Sequence, residues 1–328
     1  GVIPDVVIHN YILNGLCESG DLEKADWVLR EMLFTGPSPD CVIYNTLIKG
    51  CCLANNFDKA LDLLSKMVNN GVRPSLVTCS ILLHALCKRG LWEDAWNLPR
   101  KILGDDYARG ETLDLIANTI LMDGCFRNGD MAGAICLWDE MLQKGTQMDT
   151  AVYNVLVRGF CFEGDLSFAF RYCCDMFKRG LHPNILTYNY LIQRLCKDGS
   201  CEEACYMLGI MSRMGVDPDE FSYRWIIEGL CINDDVNAAY NFLLLMLKKS
   251  MVPVVLIWNA VIDGFVRLGD LESAFSVRDQ MISFGVLPNI YTYNSLVLAH
   301  VHGGNICGAL SLKREMLRRG LFLNCISY

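Results

Sequence analysis

The stretch ILTYNYLIQRLCKDGSCEEACYMLGIMSRMGVDPD, from Ile185 to Asp219, decides the fold, because its pattern recurs along the chain every 35 residues. When the chain is aligned with itself at this period, allowing four inserted residues in the third unit, nine alanines fall into one column. These are Ala25, Ala60, Ala95, Ala134, Ala169, Ala204, Ala239, Ala274 and Ala309. Self-similarity at a fixed period of this length is the signature of a repeat architecture.

This register divides the chain into nine repeats, whose residues we number internally from position 1. The repeats span 6–40, 41–75, 76–114, 115–149, 150–184, 185–219, 220–254, 255–289 and 290–324. Residues 1–5 are predicted to end a preceding repeat, and residues 325–328 to start a truncated tenth. We therefore expect the chain to be a piece of a longer protein.

Two helices are predicted within each repeat. In the second repeat, Tyr44, Leu47, Ile48 and Cys51 are apolar at the spacing of one helical face, which predicts a first helix, helix A. A glycine at position 15 usually interrupts this pattern, and an acidic residue such as Asp165 often follows it. That residue can cap a second helix, helix B, which a glycine at position 31 is suited to end.

A single hairpin cannot bury its apolar faces alone, so the repeats must stack on one another. The sequence therefore predicts an all-α fold, an α-solenoid of nine 35-residue helix-turn-helix repeats with partial repeats at both ends. We expect it to wind as a right-handed superhelix. The third repeat differs, since Pro99 falls inside helix B and four extra residues lie between Gly104 and Arg109. A bulge tolerated in a loop is favoured there over a functional hinge, because surface insertions cost little.

Composition and charge exclude several classes of protein. With 52% hydrophobic residues, the chain is too apolar to be disordered. Its net charge of −8 excludes a globally basic nucleic-acid-binding protein, but not one whose positive charge is confined to a single face. The sequence has no apolar run of the roughly 18 residues that a membrane span needs, so we predict no membrane association.

The 17 cysteines are predicted to be mostly small buried residues in a reducing compartment. No Cys-x-x-Cys occurs, so the spacing of zinc ligands is missing. The pairs Cys201 with Cys205 and His300 with His302 each offer at most half of a metal site, and packing or surface roles are favoured for both. We expect no metal and no cofactor. Six cysteines share position 12, namely Cys17, Cys52, Cys87, Cys161, Cys196 and Cys231.

Tyr-Asn near the start of a repeat, Gly-x-Cys, the column alanine, a late Met and a closing Pro-Asp make the chain resemble the pentatricopeptide repeat family. The resemblance covers residues 4–328, and the uniform period resembles the pure, P-type class, including fertility-restorer-like members. It implies a protein of the mitochondrion or chloroplast that binds single-stranded RNA in RNA processing, stabilisation or translation.

By the same resemblance, position 5 and the last residue of a repeat together recognise one base. The residues at position 5 are Asn10, Asn45, Ser80, Thr119, Asn154, Asn189, Arg224, Asn259 and Asn294. The closing residues are Asp40, Ser75, Asp114, Asp149, Asn184, Asp219, Val254, Asn289 and Asn324. The implied pairing rules give the target 5′-UCGGYUNYY-3′, where Y is a pyrimidine and the seventh base is unassigned. The alternative that Asn and Asp near helix starts are ordinary caps stays open.

Positions 2, 5, 9 and 13 are three or four residues apart, so they share one stripe of helix A. Position 2 is mostly apolar and either stacks against bases or packs at the helix start. Its residues are Val7, Val42, Val77, Ile116, Ala151, Leu186, Phe221, Leu256 and Tyr291. Position 13 is basic in four repeats, and these side chains can contact phosphates. They are Lys88, Arg127, Lys197 and Arg267.

A protein- or peptide-binding α-solenoid is the alternative function, because a helical stack also presents a face that can hold a peptide, and the acidic net charge slightly favours it. No Ser-His-Asp set, phosphate-binding glycine loop or carboxylate pair has a useful spacing, so we predict that the protein is not an enzyme. The expected partners are single-stranded RNA and RNA-processing or nuclease proteins. Apolar faces at the cut ends can support self-association.

Overall fold

The computed structural model of the chain describes residues 5–103 and 111–321. These residues form 18 α-helices and no β-strand. They divide into two compact units, Gly1–Gly159 and Phe160–Tyr328, and each unit is a stack of helical hairpins. The first unit contains α1 (Val6–Glu18), α2 (Leu22–Thr35), α3 (Cys41–Leu53), α4 (Phe57–Asn69), α5 (Leu76–Arg89), α6 (Trp92–Leu103), α7 (Glu111–Arg127), α8 (Met131–Gln143) and most of α9 (Thr150–Glu163). The second contains the end of α9 and α10 (Leu166–Lys178), α11 (Ile185–Lys197), α12 (Cys201–Arg213), α13 (Glu220–Ile232), α14 (Val236–Lys248), α15 (Val255–Arg267), α16 (Leu271–Ser283), α17 (Ile290–His302) and α18 (Ile306–Arg318).

The odd-numbered helices are helix A of each repeat, and all but one begin at the first repeat position. The exception is α7, which begins at Glu111 rather than Leu115, so four residues assigned to the end of the third repeat lengthen the next helix A. Helix α6 continues through Pro99 to Leu103. The predicted insertion between Gly104 and Arg109 lies outside the described residues.

The turn between the two helices of a hairpin explains the glycine at position 15. The backbone there is left-handed in every repeat, including the two repeats without glycine, where Asn55 and Asp234 both have φ of 60°. Asn and Asp tolerate this conformation better than other residues with a Cβ atom. The acidic residue that follows caps helix B as predicted: an Asp165 carboxylate oxygen accepts a hydrogen bond from the Phe168 N–H at 3.2 Å.

Successive A helices pack closely because small residues meet where they cross. A Cβ atom on Gly50 of α3 would lie 2.4 Å from Cys17 Sγ in α1, and one on Gly229 of α13 would lie 2.7 Å from Cys196 Cβ in α11. The position-12 cysteines are therefore packing residues, as predicted. Five are buried and Cys52 is half-buried. Burial raises the pKa of the Cys231 thiol to about 12.

Two further observations concern the described part of the chain as a whole. None of its helices combines the length and apolar character that a membrane span requires. Within the same residues, no three His, Cys, Asp or Glu side chains are grouped so as to hold a metal ion. Cys201 accepts a hydrogen bond from Asn233 Nδ2 at 3.1 Å.

Candidate nucleic-acid interface

Two of the predicted reading pairs are directly hydrogen-bonded in the second unit. Asn189 Nδ2 donates to Asp219 Oδ1 at 3.1 Å, and Asn259 Nδ2 donates to Asn289 Oδ1 at 3.1 Å. The closing residue of one repeat is also the residue before the next helix A. The packing of successive A helices therefore brings it beside position 5 of its own repeat.

The closing residues also cap these helices, so the alternative role is observed as well. Asp219 Oδ1 accepts the Ser222 N–H at 2.9 Å, and Asn289 Oδ1 accepts the Thr292 N–H at 3.1 Å. Capping does not exhaust a carboxylate or an amide, because a carboxylate has about four acceptor sites and an amide keeps its N–H groups. One side chain can therefore start a helix and face a ligand.

The first unit shows the same arrangement with a bridging thiol. Asn45 Nδ2 donates to Cys41 Sγ at 3.5 Å, and that thiol donates to Ser75 Oγ at 3.4 Å. In the first repeat, Asn10 Oδ1 accepts a hydrogen bond from Thr46 Oγ1 at 2.8 Å. Thr119 Oγ1 donates to the Leu115 carbonyl in its own helix, 2.5 Å away.

The other predicted reading residues are placed as follows. Asp40 caps α3 through the Ile43 N–H, Asp149 caps α9 through the Val152 N–H, and Asn184 caps α11. At position 5, Ser80, Asn154 and Asn294 are half-buried. Asn324 and the side chain of Asp114 lie outside the described residues.

All nine apolar residues at position 2 are exposed. Among the larger side chains, the exposed fraction runs from 41% for Ile116 to 68% for Tyr291, and Ala151 is also exposed. Buried packing at the helix start therefore does not account for their apolar character. Apolar side chains repeated once per hairpin present a row of surfaces on which planar rings can stack.

One groove of the second unit collects residues from all three predicted classes. It has a volume of about 790 Å³ and is lined by Asn259 and Asn289, by Leu256 and Tyr291, and by Arg267. A hydrogen-bonding pair, two apolar side chains from successive repeats and a cation thus share one groove. Glu228 and Asp263 also line the groove, so its charge is mixed. Its hydrogen-bonding pair and apolar side chains suit a flat ring with a polar edge.

Comparison with known proteins identifies the family. The model of the PPR repeat family matches residues 4–52, 39–88, 113–161, 148–197, 183–232 and 253–302, and a second PPR repeat model matches residues 291–321. The chain belongs to the pentatricopeptide repeat family. A comparison with curated protein sequences finds no match.

Solved pentatricopeptide repeat structures have the same fold. The crystal structure of PPR10 from maize has a TM-score of 0.63 at 20% identity and matches over 97% of this chain and 54% of PPR10. PPR10 in complex with an 18-nucleotide psaJ RNA element has a TM-score of 0.53 at 20% identity, over 95% and 55% of the two chains. The chain thus spans about half the length of PPR10. At this identity the likeness confirms the predicted α-solenoid fold, whereas the P-type and fertility-restorer assignments stay predictions.

The repeat from residue 220 to 254 differs from the other repeats of this chain at both predicted reading positions. Arg224 Nε forms an ion pair with Glu228 Oε1 at 2.8 Å, and its guanidinium lies 5.4 Å from the centre of the Trp225 ring. Val254 closes the repeat and makes no side-chain cap. A hydrogen-bonded reading pair of the kind seen at Asn189 and Asp219 is therefore missing at the position whose base is unassigned.

Acidic side chains beside the predicted phosphate contacts were missed by sequence reasoning. Arg127 Nε lies 2.9 Å from an Asp123 carboxylate oxygen, and Arg267 lies 3.5 Å from Asp263 and 3.0 Å from Asp234. The i,i+4 spacing of the first two pairs was a usable signal.

The two predicted lysine contacts differ from the arginines. Lys88 and Lys197 form no ion pair within residues 5–103 and 111–321. The Lys197 ammonium lies 5.7 Å from the centre of the Phe162 ring.

Proposed function

We propose that this pentatricopeptide repeat chain binds single-stranded RNA and recognises one base per repeat. The observation that carries the proposal is the groove in which Leu256 and Tyr291 flank the hydrogen-bonded pair of Asn259 and Asn289. An unpaired base fits between two such apolar side chains with its polar edge turned to the pair. The PPR10 complex with an RNA element supports this class of ligand.

The chemistry of the reading pairs supports the proposed pyrimidine preferences. Uracil has a carbonyl acceptor beside an N–H donor on its pairing edge, whereas cytosine has an unprotonated nitrogen where uracil has the N–H. The Asp219 carboxylate only accepts hydrogen bonds, so it favours uracil over cytosine next to Asn189. Asn289 both donates and accepts, so it permits either pyrimidine next to Asn259. The shorter hydroxyl of Thr119 leaves room for a purine.

These preferences extend to the target 5′-UCGGYUNYY-3′ when each repeat is paired with one base from the 5′ end. Family resemblance supports a place in the mitochondrion or chloroplast and a role in RNA processing, stabilisation or translation. The chain then acts by occupying the RNA. It shields the strand, keeps it unpaired or positions it for a processing or nuclease partner, and needs no catalytic group of its own.

A protein- or peptide-binding solenoid is the second candidate, and the ion pairs within the stripe favour it. Asp234 and Asp263 offset Arg267, and Asp123, which Arg127 shares with Arg158, partly offsets Arg127. Both lower the positive potential available to RNA. Lys88 and Lys197, which form no ion pair within the described residues, and the groove beside Asn259 and Asn289 argue for RNA. Binding measurements separate the two functions directly.

The test is a fluorescence anisotropy titration with three nine-base strands at two salt concentrations: the predicted RNA, a scrambled RNA and the equivalent DNA. Tighter binding to the predicted RNA is expected, and equal binding to all three contradicts base recognition. Asn189→Thr is expected to move the preference at the sixth base from U toward G, because the side chain becomes shorter. Asn259→Thr is the matched control, since it is expected to change only the eighth base.

A further inference from the structure

Three of the asparagines that form the proposed reading pairs are held by a hydroxyl from the following repeat. The donor is always at position 3, and the distance is 2.6 Å in each case. The three hydrogen bonds are Thr78 Oγ1 to Asn45 Oδ1, Ser222 Oγ to Asn189 Oδ1 and Thr292 Oγ1 to Asn259 Oδ1. All three hydroxyl residues are buried. A buried hydroxyl needs a partner, and its shortest hydrogen bond goes to the amide oxygen.

The sequence couples the two positions along the whole chain. Five of the six asparagines at position 5 are followed by Thr or Ser at position 3 of the next repeat, at Thr78, Thr187, Ser222, Thr292 and Ser327. The three other residues at position 5, Ser80, Thr119 and Arg224, are followed by Ala117, Val152 and Ile257. The one exception is Asn10, which is followed by Ile43 and accepts its hydrogen bond from Thr46 instead.

Helix capping alone does not explain this coupling. The position-3 hydroxyl does complete a capping box, since Ser222 Oγ accepts the Asp219 N–H at 3.3 Å and Thr292 Oγ1 accepts the Asn289 N–H at 3.1 Å. However, α15 begins at its first repeat position with Ile257 at the same place. Helix A can therefore start without a capping box. The hydroxyl at position 3 occurs where the preceding repeat has asparagine at position 5, and not wherever a helix A starts.

We propose that the position-3 hydroxyl of the following repeat, present after five of the six asparagines at position 5, is a positioning residue for base recognition, an inference that rests on the proposed RNA-binding function. It holds Oδ1 of the reading asparagine while the closing residue takes one N–H of the same amide at Asn189 and Asn259, and the Cys41 thiol takes it at Asn45. The second N–H is then the group that the amide offers to a base, and it meets an acceptor on the pyrimidine edge. Without the hydroxyl, the amide is free to rotate and offer its oxygen instead, so the base preference weakens.

The test compares Ser222→Ala, Ser222→Thr and Thr292→Val with the unaltered chain. Each protein is titrated with RNAs that carry U, C, A or G at the sixth base, and with a second set that varies the eighth. Ser222→Ala is expected to reduce the preference for U at the sixth base by about three- to tenfold, the worth of one hydrogen bond, and to leave the eighth unchanged. Thr292→Val is expected to do the converse, and Ser222→Thr to keep the original preference.

The outcomes separate this inference from the function on which it rests. If the unaltered chain discriminates and Ser222→Ala keeps the full preference for U, the positioning role is wrong and RNA recognition stands. Equal weakening on all RNAs, together with a lower melting temperature, assigns the hydroxyl to folding alone and also overturns the inference. An unaltered chain without any base preference overturns the proposed function and, with it, the positioning role.

Discussion

The close approach of successive A helices predicts opposite effects for one substitution at two glycines. Gly229 in α13 and Gly209 in α12 both lie inside helices, so Ala gains about 1 kcal/mol of helix propensity at either site. At Gly209, a Cβ atom meets nothing within 4 Å, whereas at Gly229 it would lie 2.7 Å from Cys196 Cβ. Overpacking costs about 1–3 kcal/mol, and we expect the upper end because no rotamer change moves a Cβ atom. Gly209→Ala should therefore stabilise by about 1 kcal/mol, and Gly229→Ala should destabilise by about 2 kcal/mol.

The assay is equilibrium unfolding in urea, with hydrogen exchange of the α11 and α13 amides as a local measure, because repeat arrays can lose two-state behaviour. The effect of Gly229→Ala is expected to persist in a Cys196→Ala background, since that change removes the sulfur and keeps the Cβ contact. If Gly229→Ala stabilises as much as Gly209→Ala, the two A helices are not in close contact and this account of their packing is wrong.

Two further predictions concern charge. Burial raises the pKa of Cys87 to about 11 and of Cys231 to about 12 from 9.0, so the folded chain keeps protons that the unfolded chain releases. The free energy of unfolding is thus expected to fall between pH 9 and 12, by up to about 1.4 kcal/mol per thiol and pH unit. The measurement is the melting temperature under reducing conditions, and a constant value from pH 8 to 10.5 would argue against this. In RNA titrations against salt, Lys197→Ala is expected to reduce the slope of log K against log[salt] by about 0.7. Arg267→Ala should reduce it by less, because Asp263 already lies beside the guanidinium, and equal reductions would rule out this offset.

The fold could be predicted from the sequence because one period repeats every local signal. A helix start, a turn and a stop that are weak in a single hairpin recur in nine, and the exceptions become interpretable. Asn55 and Asp234 interrupt the glycine column, yet they adopt the same left-handed turn. The start of α7 at Glu111 had no comparable support, because the inserted residues occur in only one repeat.

The contacts of the candidate site could not be predicted in the same way. A repeat alignment compares equal positions, whereas the contacts join different positions of neighbouring repeats. Position 13 meets position 15 of the preceding repeat in the Arg267 pair with Asp234, and position 5 meets position 3 of the next repeat at Asn259 and Thr292. Only the three-dimensional offset between successive hairpins reveals such pairs.

That offset also restricts the residues that are available for the proposed base recognition. Six of the seven closing residues whose side chains are described cap the next helix A, so the position that completes the reading pair is restricted to side chains that cap well. Replacing such a cap with Ala costs about 0.5–2 kcal/mol, and a residue outside Asp, Asn, Ser and Thr pays this cost whatever it offers to a base. Val254 is the exception, and its repeat lacks a reading pair as well as a cap. The proposed base recognition therefore uses residues that also start the helices, so we expect a change of specificity to be compatible with stability only among Asp, Asn, Ser and Thr.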